Sequence, residues 1–312
     1  MNALHAFALG GALVTAAATA ANAATAFSIT LIGGVGYSEQ NAPLDHETHL
    51  RRLLADINAA PVAFVVHNGD AGHPQELCTD PALVRRHAQF AAMQRPFIFT
   101  PGDNEWFACR DERDNRLARV RELFFATDQS LGQPPMKMLR QSAEGGTFAK
   151  YSENARWQVG DVTFLTIHVV GGGNNGGRPE AVERDRANRA WMTASFAAAK
   201  AAGSRAVMLF TRANVFPNGG VGVGFGYTEQ FFEVLFNETV KFGGPVVLVE
   251  GDDNRFLIDK PMRDSRERVL ETFTRVQTFG TPDHHWIEAM VDYDNPNVFE
   301  FRARVVRANL AL

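Results

Sequence analysis

Four short stretches of this sequence end an apolar run in glycine followed by a short oxygen-bearing side chain. They are HNGD (67–70), TPGDNE (100–105), GGGNNGG (171–177) and VEGDDN (249–254). Glycine lets a chain turn tightly, and aspartate or asparagine then presents an oxygen close to the backbone. Carboxylate and amide oxygens suit hard divalent cations such as Mg, Ca or Mn. One such turn is ordinary loop chemistry. Four of them after successive apolar runs make a candidate metal site built from the aspartates and asparagines of these turns.

Those turns can act together only if the strands before them end on one edge. FSITLIGG (27–34) alternates like a strand, and HETHLRRLLADINAA (46–60) carries apolar residues at helical spacing. VAFVVHNGD (62–70) and PFIFTPGDNE (96–105) read as buried strands running into turns, separated by a helix over 81–94. A helix over 113–125 follows, then a hairpin over 156–172 that turns at Gly160 and Asp161. Helices over 179–202 and 228–242 alternate with strands over 205–211 and 246–253. Strands alternating with helices predict parallel pairing. In a parallel sheet the carboxyl ends of the strands share an edge, where ligands bind. Beyond residue 268 only strand-like runs remain, expected as antiparallel strands. No linker or repeat interrupts the pattern, so one domain over 27–312 is expected.

The chain has 312 residues, 45% hydrophobic and 21% charged, an ordinary globular composition. A net charge of −4 supplies no basic field for nucleic acid. Residues 6–21 carry no charge and are followed by the small-x-small patterns ANA and ATA. This predicts a signal peptide over 1–23, cleaved near 23–26, and a secreted or periplasmic protein with no transmembrane span in the mature chain. Cys78 and Cys109 are the only cysteines. In an oxidising compartment they predict a disulfide closing a loop of about 30 residues, stabilising by ~3 kcal/mol.

The stretch 101–106 reads PGDNEW. With VVHNGD (65–70), VVGGGNNG (169–176), VEGDDNRFLIDKP (249–261), FTRVQTFG (273–280) and HHWIEAMVDYDNPNVFEF (284–301), it makes the chain similar to the calcineurin-like metallophosphoesterases over nearly its whole mature length. An exported bacterial branch resembles it most. The resemblance implies an α/β fold, a two-sheet sandwich flanked by helices in four layers (α/β/β/α). It also implies hydrolysis of a small phosphoester by water activated on divalent metal, whether Mn, Mg, Fe, Zn or Ca. Carried over residue by residue, Asp70 takes the place of the carboxylate that bridges two metals. Asp103 takes a ligand asparagine's place and Asn104 the catalytic histidine's. Asp252 and Asn254 stand in the last ligand motif, and Asn174 and Asn175 in an element at the substrate.

The departures are as informative as the matches. Gly34 occupies the place of the first motif's aspartate, and Arg212 falls where a ligand histidine is expected. Every family histidine ligand is replaced, and an oxygen-only donor set remains. Two readings follow. In one, the centre still holds a hard cation and hydrolyses phosphoesters. In the other, the protein keeps the fold and binds without catalysis, and Arg212 replaces metal by pairing with Asp70 or Asp252, since an arginine is an always-charged cation able to hold two carboxylates. A third reading, a secreted structural protein, treats the turns as only turns. Glu105 either accepts a proton or braces its loop. His73 is a candidate acid or base, against an ordinary surface histidine, and Trp106 either stacks on substrate or packs beneath the loop. The oligomeric state is not encoded in any motif.

Overall fold

The structure, a computed structural model, describes residues 26–36, 46–110, 112–171, 178–216 and 229–310. The expected leader and Asn174 and Asn175 lie outside the described residues.

In chain order the strands are β1 (Phe27–Ile32), β2 (Val65–His67), β3 (Phe97–Phe99), β4 (Leu139–Arg140), β5 (Ala155–Val159) and β6 (Val162–Thr166). They continue as β7 (Ala206–Phe210), β8 (Val246–Glu250), β9 (Leu257–Asp259), β10 (Phe273–Gln277), β11 (Trp286–Val291) and β12 (Phe299–Arg304). The helices are α1 (His46–Ala59), α2 (Pro74–Leu77), α3 (Asp80–Ala91), α4 (Arg113–Phe124), α5 (Pro179–Ala201) and α6 (Glu229–Phe242). One sheet has the order β12-β11-β1-β2-β3 and the other β4-β5-β6-β7-β8-β10-β9. Within them β1, β2 and β3 run parallel, as do β6, β7, β8 and β10.

The layering follows from strand periodicity. Successive side chains of a strand point to opposite faces, and here both faces are apolar. In β2, Val65 packs on the helix side and Val66 between the sheets. In β7, Met208 and Phe210 face the opposite sheet while Val207 and Leu209 face the helices. Leu50, Leu53 and Ile57 of α1, Phe90 of α3 and Val120 of α4 cover the first sheet. Trp191 and Phe196 of α5 and Leu235 of α6 cover the second. The result is the predicted sandwich of two mixed sheets between helical layers.

The hairpin forms as expected, with Val159 opposite Val162. The antiparallel tail is only partly right. β11 and β12 are antiparallel, but β10 lies parallel to β8 because the chain crosses back through residues 251–272 before entering it. Cys78 and Cys109 form the disulfide, with Cα atoms 5.4 Å apart. No helix among the described residues is long and apolar enough to cross a membrane.

Candidate metal centre

The glycine turns converge. β1 delivers Gly34, β2 Asp70 and β3 Asp103 from the first sheet. β6 delivers Gly171, β7 Arg212, and β8 Asp252 and Asn254 from the second. All sit just past the carboxyl ends of parallel strands, at the edge where such sheets bind ligands. The seam between the sheets is bridged there. Thr281 N donates to Gly34 O at 2.8 Å, and Thr278 Oγ1 donates to Asn68 Oδ1 at 3.2 Å.

Three of the five described non-glycine residues with positive φ lie in this cluster: Asp70 (φ 55°), Asp252 (φ 74°) and Asn254 (φ 52°). Aspartate and asparagine tolerate the left-handed region better than other side chains. Such conformations persist where the surrounding structure holds them. At Asp70 the holding group is Glu105, which is 1% exposed. Its carboxylate accepts from Asp70 N (3.3 Å), Ala71 N (2.6 Å) and Gly102 N (2.7 Å). Glu105 therefore clamps the β2 and β3 turns together.

Oxygens of Asp70, Asp103 and Asp252 lie within 4.8 Å of one another, a grouping that could hold a metal ion. Arg212 enters the same space. Its Nη2 is 2.7 Å from Asp70 Oδ2, with both side chains buried, and it donates to Asn254 Oδ1 at 3.4 Å. Gly34 makes room for this: a Cβ there would collide with Asn254 Oδ1 and stand 2.9 Å from Arg212 Nη1. Gly102 makes room for Asp70, because its Cβ would collide with Asp70 Oδ1.

Burial pushes the Asp103 carboxyl up to about 8, helped by the charges of Asp70 and Asp252 and opposed by Arg212. Burial likewise raises Asp252, against the pull of Arg212. Glu105 is pushed up to about 7, by burial first and Asp70 second, against its backbone donors. Raised carboxyls bind protons in the folded state that the unfolded chain has released, so they favour folding at low pH and cease to as pH rises through the folded value. Buried His67, His168 and His284 are lowered and act in the opposite sense, but only below about pH 6.5. In chelator, the melting temperature is therefore expected to fall between about pH 6.5 and pH 8, the range in which Glu105 and Asp103 ionise. Melts at the two pH values check this, and a flat or rising profile contradicts it.

The other sequence candidates fare differently. Asn104 N donates to Asp70 Oδ1 (3.3 Å), while its Nδ2 donates to Gly72 O (3.1 Å), so its carboxamide is turned to the backbone. His73 accepts from Gln75 N at 3.2 Å and caps α2. Trp106 cannot stack on a substrate. It is 1% exposed, packed on His168 (5.7 Å between rings) with the Arg184 guanidinium 5.6 Å away, because the turn after β3 folds back over the apolar layer. Sequence reasoning missed Phe107, Arg110 and Arg113, which line a cleft opening beside Asp103. Their only signal is a run of arginines after Trp106 that interleaved acids make look like a solvated face.

No family model matches the sequence, and no curated protein matches it. Solved structures do resemble it in shape. Purple acid phosphatase PPD1 from seeds of yellow lupin (Lupinus luteus) is 11% identical with a TM-score of 0.50, over 93% of this chain and 56% of that one. A protein described as a 5′-nucleotidase from Staphylococcus aureus is 11% identical with a TM-score of 0.52, over 90% of this chain and 54% of that one. The chain thus spans about half the length of these structures. The likeness is one of architecture, two mixed sheets between helices, which is the metallophosphoesterase fold.

Proposed function

We propose that the strand-end centre binds phosphoesters around one hard divalent cation, with Arg212 standing in for a second, and that it hydrolyses them more slowly than a two-cation centre would. The carrying observation is the Arg212–Asp70 pair in the room left by Gly34, with Asp103 and Asp252 still grouped around Asp70. The donor set fits a hard cation. It is all oxygen, and burial with mutual repulsion raises two of its carboxyls, a cost that bound positive charge relieves.

A cation held there would polarise the phosphoryl group and lower the pKa of water. The chain supplies the rest. Arg212 holds a fixed positive charge beside the phosphoryl site, and Glu105 keeps Asp70 and the β3 turn in register. Asn104 has no acidic proton, and its carboxamide is committed to Gly72 O. The leaving oxygen must therefore take its proton from solvent as the ester P–O bond breaks and water's oxygen bonds to phosphorus. That favours esters with good leaving groups, such as aryl phosphates. The disulfide supports an oxidising compartment. The 2.7 Å ion pair also favours a second reading, in which Arg212 is the only cation and the protein binds phosphoesters without turnover.

A thermal melt of chelator-stripped protein titrated with Mn, Mg and Ca decides between them. A ligand at 100 times its Kd adds about 2.7 kcal/mol to the folded state. The expected result is a rise with Mn or Mg that saturates at one ion per chain and is lost in Asp70→Ala. No rise with any cation would leave the metal-free reading standing. Two ions per chain would overturn the role given to Arg212.

A further inference from the structure

Beside the acidic centre lies a cleft of about 970 Å³ whose lining includes Asp103, Phe107, Arg110 and Arg113. We propose that this cleft is a leaving-group subsite, so that the protein prefers phosphoesters whose leaving group carries a second anionic group. The proposal rests on the phosphoester reading above and adds which esters fit it.

The arginines in and just before α4 fall into two sets. Arg116 pairs with Asp80 at 2.6 Å, Arg119 with Glu122 at 2.7 Å, and Arg121 with Glu153 at 2.6 Å. Arg110 and Arg113 have no carboxylate within 4 Å among the described residues, although Glu112 lines the same cleft. Arg113 is nevertheless held in place. Its Nε donates to Phe107 O at 2.6 Å, and its guanidinium lies 4.3 Å from the centre of the Phe107 ring. The two terminal nitrogens of Arg113 remain for a ligand. Arg178 lies 5.7 Å from the same ring, and with Arg110 and Arg113 it lines an adjoining hollow of about 310 Å³.

The Arg113 side chain is held in place before any ligand arrives, whereas Arg110 is exposed and is anchored through its backbone. Arg110 follows Cys109, which the disulfide pins to Cys78, and both cysteines line the cleft. A receptor ordered before binding loses less entropy on binding. The guanidinium fork matches carboxylate and phosphate oxygens equally well, and the Phe107 ring offers a face for the body of an aryl leaving group. A phosphoryl group at the acidic centre and a second anion at Arg110 and Arg113 would then be joined across the cleft.

Calorimetry with three non-hydrolysable probes, in the presence of Mn, tests this on the full chain. Phenylphosphonate carries one anionic group, 4-phosphonobenzoate adds a carboxylate at the far end, and 1,4-phenylenediphosphonate adds a second phosphonate. The expected result is that one or both of the latter bind tighter than phenylphosphonate by about tenfold, the effect of one charge-assisted hydrogen bond. The better of the two identifies the anion. Arg110→Gln with Arg113→Gln should abolish the difference while the protein melts normally. Equal affinity for all three probes in the unaltered protein overturns the subsite and leaves the phosphoester reading intact. A preference that survives the double substitution overturns it too, by locating the second anion elsewhere. Failure of both phenylphosphonate and inorganic phosphate to bind overturns the phosphoester reading and the subsite with it.

Discussion

Arg212→Ala is expected to destabilise the chelator-treated protein by ~3–5 kcal/mol, a drop in melting temperature on the order of 10 °C. Arg212 is 1% exposed and Asp70 is 4% exposed, so removing the guanidinium leaves a buried carboxylate without its 2.7 Å partner. Breaking a buried pair from one side is costly because the remaining charge has lost both water and its counter-ion. The same substitution opens space beside Gly34 and removes the charge that opposes cation entry. Added Mn or Mg should therefore restore most of the lost stability, and restore more than it adds to the unaltered protein. Arg212→His goes further, since it supplies a neutral ring nitrogen where a fixed charge stood. Its cation affinity is expected to exceed that of the parent by about tenfold or more. Melts with and without Mn measure both effects. An equal loss in the two conditions would mean that the guanidinium and the cation do not compete for one place.

Glu105→Ala is the second large effect, a loss of ~3–5 kcal/mol together with loss of cation binding. Both oxygens of Glu105 are occupied by backbone donors from two different turns. Deleting them strands three buried N–H groups and frees Asp70 from the left-handed backbone that presents its side chain. Glu105→Gln keeps one acceptor oxygen but turns an NH2 toward the other donors, so its melting temperature should fall between the two. Turnover and cation binding should track that stability. A Glu105→Gln protein that melts like the parent but has lost turnover would instead make Glu105 a proton carrier.

Much of this was legible because the strands are apolar on both faces. Val65-Val66 and Val246 to Val249 can be buried only inside a sandwich, and glycine after each fixes where the turn falls. The complementarity of Gly34 and Arg212 was also legible, since one removes bulk and charge where the other adds them. Trp106 was ambiguous because a tryptophan after a turn looks the same whether it faces solvent or folds back onto the core. The direction of β10 was hidden because side-chain alternation is identical in parallel and antiparallel strands. The cap made by His73 escaped notice because α2 spans only four residues, too few for a periodic signal. The arginine cleft could not be read at all. CRDERDNR offers every arginine a nearby acid in sequence, and only the pairing in space reveals which ones lack a partner among the described residues.

The carboxylates of the acidic centre come from both sheets, Asp70 and Asp103 from one and Asp252 from the other, and the Arg212–Asp70 pair spans the seam. The centre is therefore also the latch of the sandwich at that edge. Separation of the two sheets there and release of a bound ligand draw on the same contacts, so they belong to one opening equilibrium. A ligand that grips Asp70 and Asp252 together would slow the breathing of the whole edge, including strands it never touches. The rate at which the molecule opens would then report whether the centre is filled.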